Sequence, residues 1–246
     1  MIELYSREKR ADMKRSKEFK NTNKPWGDLH LNSYKNVGAV MALAKESNAK
    51  TFEEWESYYF QSGEKRNAEL SAAPENYPQQ SEELNQLNYN HGRTVAELEQ
   101  IAQTLANRCN ISIQNAFNYV YIRVLDETWK GYETELNAEK EIQLICDKLP
   151  GLTISHTDLI KDNQYAVDFE LYNNSSLLLG IQIKPTTYRD SFNPGVIRDK
   201  KTNEKKNQEY KNEFGADVLY LYTDWGKIVN MNELLETLKV LLGYNK

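Results

Sequence analysis

Cysteine is nearly absent from this sequence. The two that occur, Cys109 and Cys146, lie far apart and within helical patterns, which excludes a disulfide scaffold and suits small buried apolar groups. Three histidines, His30, His91 and His156, have no zinc-like spacing, and no phosphate-loop or dinucleotide signature is present. With six prolines, no Gly/Ser linker, 39% hydrophobic and 27% charged residues, neither a disordered nor a fibrous chain fits. No apolar run approaches the roughly 18 residues needed to span a bilayer. The start, Met1-Ile2-Glu3-Leu4-Tyr5, lacks the basic-then-apolar order of a signal peptide. The expectation is a cytoplasmic protein with no membrane contact. An overall excess of positive charge is missing too, since the net charge of −5 counts against a generic nucleic-acid coat protein.

The charge is nevertheless uneven. Residues 1–35 hold nine Lys/Arg against five Asp/Glu, and residues 184–211 hold eight against four. Such patches can track phosphates on an acidic protein, because screening leaves mainly charges within about 10 Å to act.

Residues 1–35 read as a basic arm with a short helix near Glu8 to Lys17. Thr51-Phe52-Glu53-Glu54 and Thr94-Val95-Ala96-Glu97 have capping-box spacing, the second opening a stripe of Leu98, Ile101, Ala102 and Leu105. Residues 74–90 form a loop. A helical pattern runs from Ile113 past Trp129, and another over 136–149 with Ile142, Ile145, Cys146 and Leu149 on one face, closed by Pro150-Gly151. Strands are expected at Leu152–Ser155, Tyr165–Tyr172 and Leu177–Lys184. A helix at 204–213, a buried strand at Ala216–Tyr222 and a helix capped by Asn232 follow. The class is therefore α/β in the α+β sense, with a mixed central sheet and a mainly helical first half. Residues 1–130 form one expected domain and 131–246 the other.

Strand alternation puts Tyr165, Val167, Phe169 and Leu171 on one face and Asp168 with Glu170 on the other. On the next strand Gln182 and Lys184 oppose Ile181 and Ile183. A turn at 173–176 would make the two strands a hairpin and cluster a carboxylate, an amide oxygen and an ammonium. The bland reading is a solvated sheet face.

The string Val167-Asp168, thirteen intervening residues, then Gln182-Ile183-Lys184, within a helix, three strands, helix and strand, resembles the PD-(D/E)XK nuclease superfamily. Two positions depart from its pattern: Val167 replaces the proline and Gln182 the second acid, which removes one charge from the metal site. The resemblance implies Mg²⁺ held by Asp168, Gln182 and the backbone carbonyl of Ile183, with Lys184 beside the scissile phosphate. A Glu on the preceding helix would complete the set. Glu139 is the candidate, with Glu135, Glu141 and Glu170 as substitutes.

Asn23-Lys24-Pro25-Trp26, Ser33-Tyr34-Lys35-Asn36-Val37-Gly38, Phe52-Glu53-Glu54-Trp55 with Tyr58-Tyr59, His91-Gly92-Arg93-Thr94, and Tyr119-Val120-Tyr121-Ile122-Arg123 with Glu127-Thr128-Trp129 are similar to MjaI-type restriction endonucleases. That resemblance implies a type II enzyme cutting double-stranded DNA at a short palindrome, CTAG being the implied site, and working as a homodimer. Two other functions stay open: a structure-selective repair or recombination nuclease of the same fold, and an inactive DNA-binding module, for which Gln182 is the motive. Arg93, Arg189, Arg198, Lys200, Lys201, Lys205 and Lys206 are candidates to follow the DNA backbone, or form a solvated face. Arg93 and Arg123 could read guanine edges. His91-Gly92-Arg93 suits a phosphate or a plain loop. Tyr34, Trp55 and Tyr58 read as core.

Overall fold

The computed structural model describes residues 2–28, 34–72 and 92–244. The expected loop at 74–90, His30, His91 and the Tyr34 side chain lie outside them. The chain divides into two compact units, Met1–Tyr132 and Glu133–Lys246. The fold is α+β: the first unit is helical and the second carries a five-stranded mixed sheet. Among the described residues no helix is long and apolar enough to cross a membrane.

The expected short helix near Glu8 to Lys17 is α1 (Arg7–Arg15), and the rest of the expected arm carries two more short helices, α2 (Lys17–Asn21) and α3 (Asn23–Asp28). Ser6 and Ser16 accept hydrogen bonds from the backbone N–H groups of Lys9 and Phe19, which starts α1 and α2. Each helix buries one residue, Arg10, Phe19 or Trp26. Two caps ten residues apart, at Ser6 and Ser16, break the periodicity, so the stretch shows no continuous apolar stripe. Helices α4 (Tyr34–Ser47) and α5 (Phe52–Ala72) follow. Thr51 accepts from Glu54 N as expected, but Glu54 reaches back to the N–H of Lys50. Trp55 is buried, whereas Tyr58 is half-buried and donates its hydroxyl to Glu46.

At Thr94 and Glu97 the reciprocal capping box is complete and starts α6 (Val95–Cys109). Just before it, Gly92 lies so close to α5 that a Cβ there would stand 1.8 Å from the Tyr59 carbonyl oxygen. Only glycine allows this approach, and it gives the residues around Gly92 and Arg93 a packing role. Helix α7 (Ile113–Tyr121) continues through a π turn at Ile122–Asp126 into α8 (Glu127–Cys146), joining what the pattern split into two helices. The boundary between the units falls within α8.

In the second unit the strands are β1 (Leu152–His156), β2 (Phe169–Asn173), β3 (Ser176–Pro185), β4 (Asp217–Asp224) and β5 (Lys227–Ile228), adjacent in that order. Only the β3/β4 pair is parallel. Helices α9 (Leu159–Tyr165), α10 (Thr186–Arg189), α11 (Pro194–Phe214) and α12 (Met231–Leu241) complete the unit. One sheet face, with Phe169, Leu171, Leu179, Ile181, Ile183 and Leu221, packs against Ala138, Ile142 and Cys146 of α8 and against Leu234 and Leu238 of α12. Each such large side chain contributes about 1.5–3 kcal/mol. The other face meets Tyr210 of α11.

Only the second half of the expected strand Tyr165–Tyr172 is strand. Tyr165 ends α9, Ala166 takes a left-handed φ of 56°, and the strand begins at Phe169. Val167 consequently joins Tyr165 and Tyr210 on one side of the sheet while Phe169 and Leu171 join the main core on the other. Helix α11 is longer than the expected 204–213, because Asn193 caps it, Pro194 fits its first turn and Gly215 ends it with a φ of 74°. Asn230, not Asn232, stands at the cap position of α12 and ties Tyr222 N, Tyr220 O and Glu233 together.

Candidate active site at one end of the sheet

Asp168 lies where β2 begins and holds β3 on either side of Gln182. Its backbone N–H donates to Ile181 O at 2.8 Å, and its Oδ2 accepts the Ile183 N–H at 2.7 Å. The Asp168 carbonyl accepts from Thr157 N at 3.2 Å, which joins the end of β1 to the same place. The expected juxtaposition of Asp168 with the Gln182-Ile183-Lys184 segment is therefore present, though through the break before β2 and not through regular alternation. Asp168 is 7% exposed.

Gln182 is 2% exposed, and among the described residues its Oε1 has no hydrogen-bond partner. Ile181 and Ile183 face the main core, so alternation turns Gln182 and Lys184 to the opposite face. There they stand beside Tyr220 and Tyr222, their partners in the parallel register. Lys184 is half-buried, with Nζ 5.8 Å from the centre of the Tyr188 ring. Lys200 Nζ stands 5.6 Å from that same ring centre and donates to Arg189 O at 2.7 Å. Tyr188 thus draws two ammonium groups to one aromatic ring. Its role escaped the sequence reading; an aromatic four residues after the motif lysine was the available signal.

The acidic candidates differ in surroundings. Glu139 of α8 pairs with His156 Nε2 at 3.0 Å, and His156 is the register partner of Phe169, next to Asp168. Glu141 is half-buried on the same helix, as is Glu135. Glu170 is a buried structural carboxylate. It accepts from Lys161 Nζ (2.6 Å), Tyr210 OH (2.6 Å) and Tyr172 OH (2.7 Å). Burial pushes its carboxyl up, but these hydrogen bonds outweigh it and the net shift is downward. Tyr210 reaches Glu170 across Gly180, whose missing side chain leaves room for the ring. The Tyr210 hydroxyl is pushed well up by burial and by that carboxylate.

Among the described residues no group of three or more His, Cys, Asp or Glu side chains could hold a metal ion. The oxygen donors still suit a hard divalent cation. A carboxylate and a buried amide oxygen without a partner lie on neighbouring strands, and Mg²⁺ takes few protein ligands and keeps several waters. The donor chemistry of Asp168, Gln182 and the Ile183 carbonyl suits such an ion, whereas Glu139 is paired with His156 on the helix that packs against the other face of the sheet.

The basic candidates are dispersed. Arg189 pairs with Asp190 at 2.9 Å and lies over the Tyr222 ring. Arg198, Lys201 and Lys205 are exposed on α11, and Lys206 donates to Asn163 O. Arg93, in the helical unit, approaches Glu97 at 3.9 Å. Arg123 is held by Thr22 and Asn23 and lies over the Phe19 and Trp26 rings, so packing accounts for it.

Comparison with known proteins places the chain in the class of restriction endonucleases, enzymes that cut DNA. Residues 22–229 match the model of the MjaI restriction endonuclease family, and the chain belongs to that family. No curated protein and no solved structure matches it.

Proposed function

We propose that the chain is a type II restriction endonuclease of PD-(D/E)XK type that hydrolyses double-stranded DNA at a short palindrome, CTAG being the site the sequence resemblance implies. The observation that carries this reading is the hydrogen bond from Ile183 N to Asp168 Oδ2, beside the partnerless Gln182 Oε1. Asp168, Gln182 and the Ile183 carbonyl would hold Mg²⁺, with Glu139 on the flank toward His156. Bound there, the ion supplies Lewis acidity and a more acidic water. Lys184 places its ammonium where negative charge grows on the phosphoryl group, and Tyr188 holds the lysine chain in that direction. The helical unit serves recognition and dimerisation, since a palindrome presents one half-site twice. Arg189, Arg198, Lys200, Lys201, Lys205 and Lys206 supply phosphate contacts from the sheet-bearing unit, and Arg93 from the helical one.

Unmethylated phage DNA, incubated with the protein and Mg²⁺, should yield discrete fragments whose sequenced ends share one palindrome. Asp168→Ala and Lys184→Ala should abolish them. Unchanged cutting by both variants would refute the site. Gln182 favours a second reading, a DNA-binding module without catalysis; full affinity with no metal-dependent cleavage would establish it. Preference for flaps or junctions over intact duplex would instead mark a repair nuclease.

A further inference from the structure

Helix α11 turns a polar stripe toward the sheet face that carries Gln182. Lys200, Asn203, Asn207 and Tyr210, spaced three or four residues apart as one side of a helix requires, reach the sheet or the α10 segment that follows β3. Lys200 donates to Arg189 O and Asn203 Nδ2 to Tyr188 OH, both just past β3. Tyr210 reaches Glu170 above Gly180. Between these levels Asn207 Oδ1 accepts from Tyr220 OH at 3.2 Å, and Tyr220 is the register partner of Gln182. The helix therefore runs opposite to β3, and Asn207 lies over the level of Gln182. A helix packed on a sheet ordinarily buries an apolar stripe, so this polar one calls for a reason.

Asn207 is tied at one end only. Its Nδ2 is buried without a hydrogen-bond partner among the described residues, and so is Gln182 Oε1. Two carboxamides thus lie at one level of a buried face, each with an unpaired polar atom, and these atoms do not pair with each other. Burying such atoms is unfavourable, and asparagine is a weak helix former besides. Leucine at 207 would fill the place without either cost. An inward asparagine in mid-helix, level with the amide assigned to the ion, points to a small polar guest between them.

We propose that Asn207 is a positioning residue for the divalent ion, holding a water of its hydration shell while Asp168 and Gln182 hold the ion itself. The inference rests on the metal site of the nuclease reading and adds a group outside its ligand set. Mg²⁺ keeps several waters when bound, and the groups that hold them tune affinity nearly as much as the ligands do. A carboxamide serves in either orientation, because the Tyr220 hydroxyl can donate to its oxygen or accept from its nitrogen. Tyr220 fixes the reach of the amide, and α11 fixes its height above the sheet. The need for such a group follows from Gln182, whose amide brings no formal charge to the ion.

Mg²⁺ binding to the DNA-free protein, followed by calorimetry and by the thermal midpoint across a Mg²⁺ titration, tests this without any cleavage. Asn207→Leu should weaken Mg²⁺ binding roughly 10- to 100-fold. Asn207→Asp keeps the shape, adds a charge and should tighten binding roughly tenfold. A merely structural asparagine would not give these opposed effects. Asn207→Leu also strips Tyr220 of its partner, so Asn207→Leu combined with Tyr220→Phe replaces both ends of that bond by apolar groups. The double variant should melt in chelator close to the parent yet bind Mg²⁺ as weakly as Asn207→Leu. Recovery of midpoint and affinity together overturns the inference, as does Mg²⁺ affinity unchanged in both Asn207→Leu and Asn207→Asp. In those cases the metal site stands if Asp168→Ala binds Mg²⁺ weakly. Equal affinity in Asp168→Ala and the parent strikes the metal site itself, and the inference falls with it.

Discussion

The Ile183 N–H donates to Asp168 Oδ2 at 2.7 Å, so one carboxylate both ties β2 to β3 and serves as the proposed metal ligand. The two duties separate by substitution. Asp168→Asn keeps an acceptor oxygen and should unfold at nearly the parent urea concentration. Asp168→Ala leaves the Ile183 amide unpaired in a buried place and should lose about 1–3 kcal/mol. Both should lose cleavage by about a thousandfold or more, since each removes the formal charge at the metal. Equal stability losses in the two variants would refute the dual role.

Gln182 offers the complementary test. It is 2% exposed, and its Oε1 is a buried acceptor with no hydrogen-bond partner among the described residues. Gln182→Leu should be neutral or stabilising, because an apolar group replaces an unsatisfied one, and should abolish cleavage. Gln182→Glu should lower the thermal midpoint in chelator, because a second buried carboxylate lies near Asp168, and Mg²⁺ should restore it. If Mg²⁺ raises the midpoint no further in Gln182→Glu than in the parent, Gln182 is not a ligand.

Glu170 links acid stability to a network of Lys161, Tyr172 and Tyr210 around one buried carboxylate. Its folded carboxyl titrates below its ordinary value, so its contribution is complete above that value and disappears as pH falls through the folded one. Glu170→Gln should therefore cost about 2–4 kcal/mol at neutral pH, by leaving Lys161 without its charge partner, and should flatten the acid limb of a stability-against-pH curve. Tyr172 acts at the other extreme. Burial and the Glu170 carboxylate push its hydroxyl up to about 12, so its contribution holds below the ordinary tyrosine value and is lost as pH rises toward 12. Chemical unfolding at pH values from acid to alkaline, with parent and Glu170→Gln in parallel, checks both limbs.

What was legible in the sequence was local. Thr94 and Glu97 announce their helix because a capping box needs only four residues. The β2–β3 hairpin brings Asp168 to Ile183 across a short turn, so alternation came close to the site's geometry. It failed at Tyr165 to Val167, where a period of two continues through a helix end: Tyr165 and Val167 belong to one cluster, Phe169 and Leu171 to the other. Nothing in a period can show that the chain changes face at Ala166. The partners of Glu170 were illegible for another reason, because Lys161 and Tyr210 come from α9 and α11 and only tertiary packing joins them.

The basic amino-terminal stretch gives the last prediction. Its charge reads as a free arm, but Arg10 is buried, donating from two nitrogens to Asp126 at 2.8 Å and from a third to Tyr5 O at 2.6 Å. Its guanidinium also lies 4.6 Å from the centre of the Tyr121 ring. A buried pair of this kind is costly to break on one side only. Arg10→Ala should lose about 3–5 kcal/mol, and Arg10→Lys most of that, because an ammonium cannot reproduce the planar two-point contact. Replacing Arg10 and Asp126 together by Met and Leu should recover much of the loss. Urea unfolding of the three variants decides it. If Arg10 belonged to a phosphate-tracking arm, Arg10→Ala would leave stability unchanged and instead lower the salt dependence of DNA binding by about one counterion.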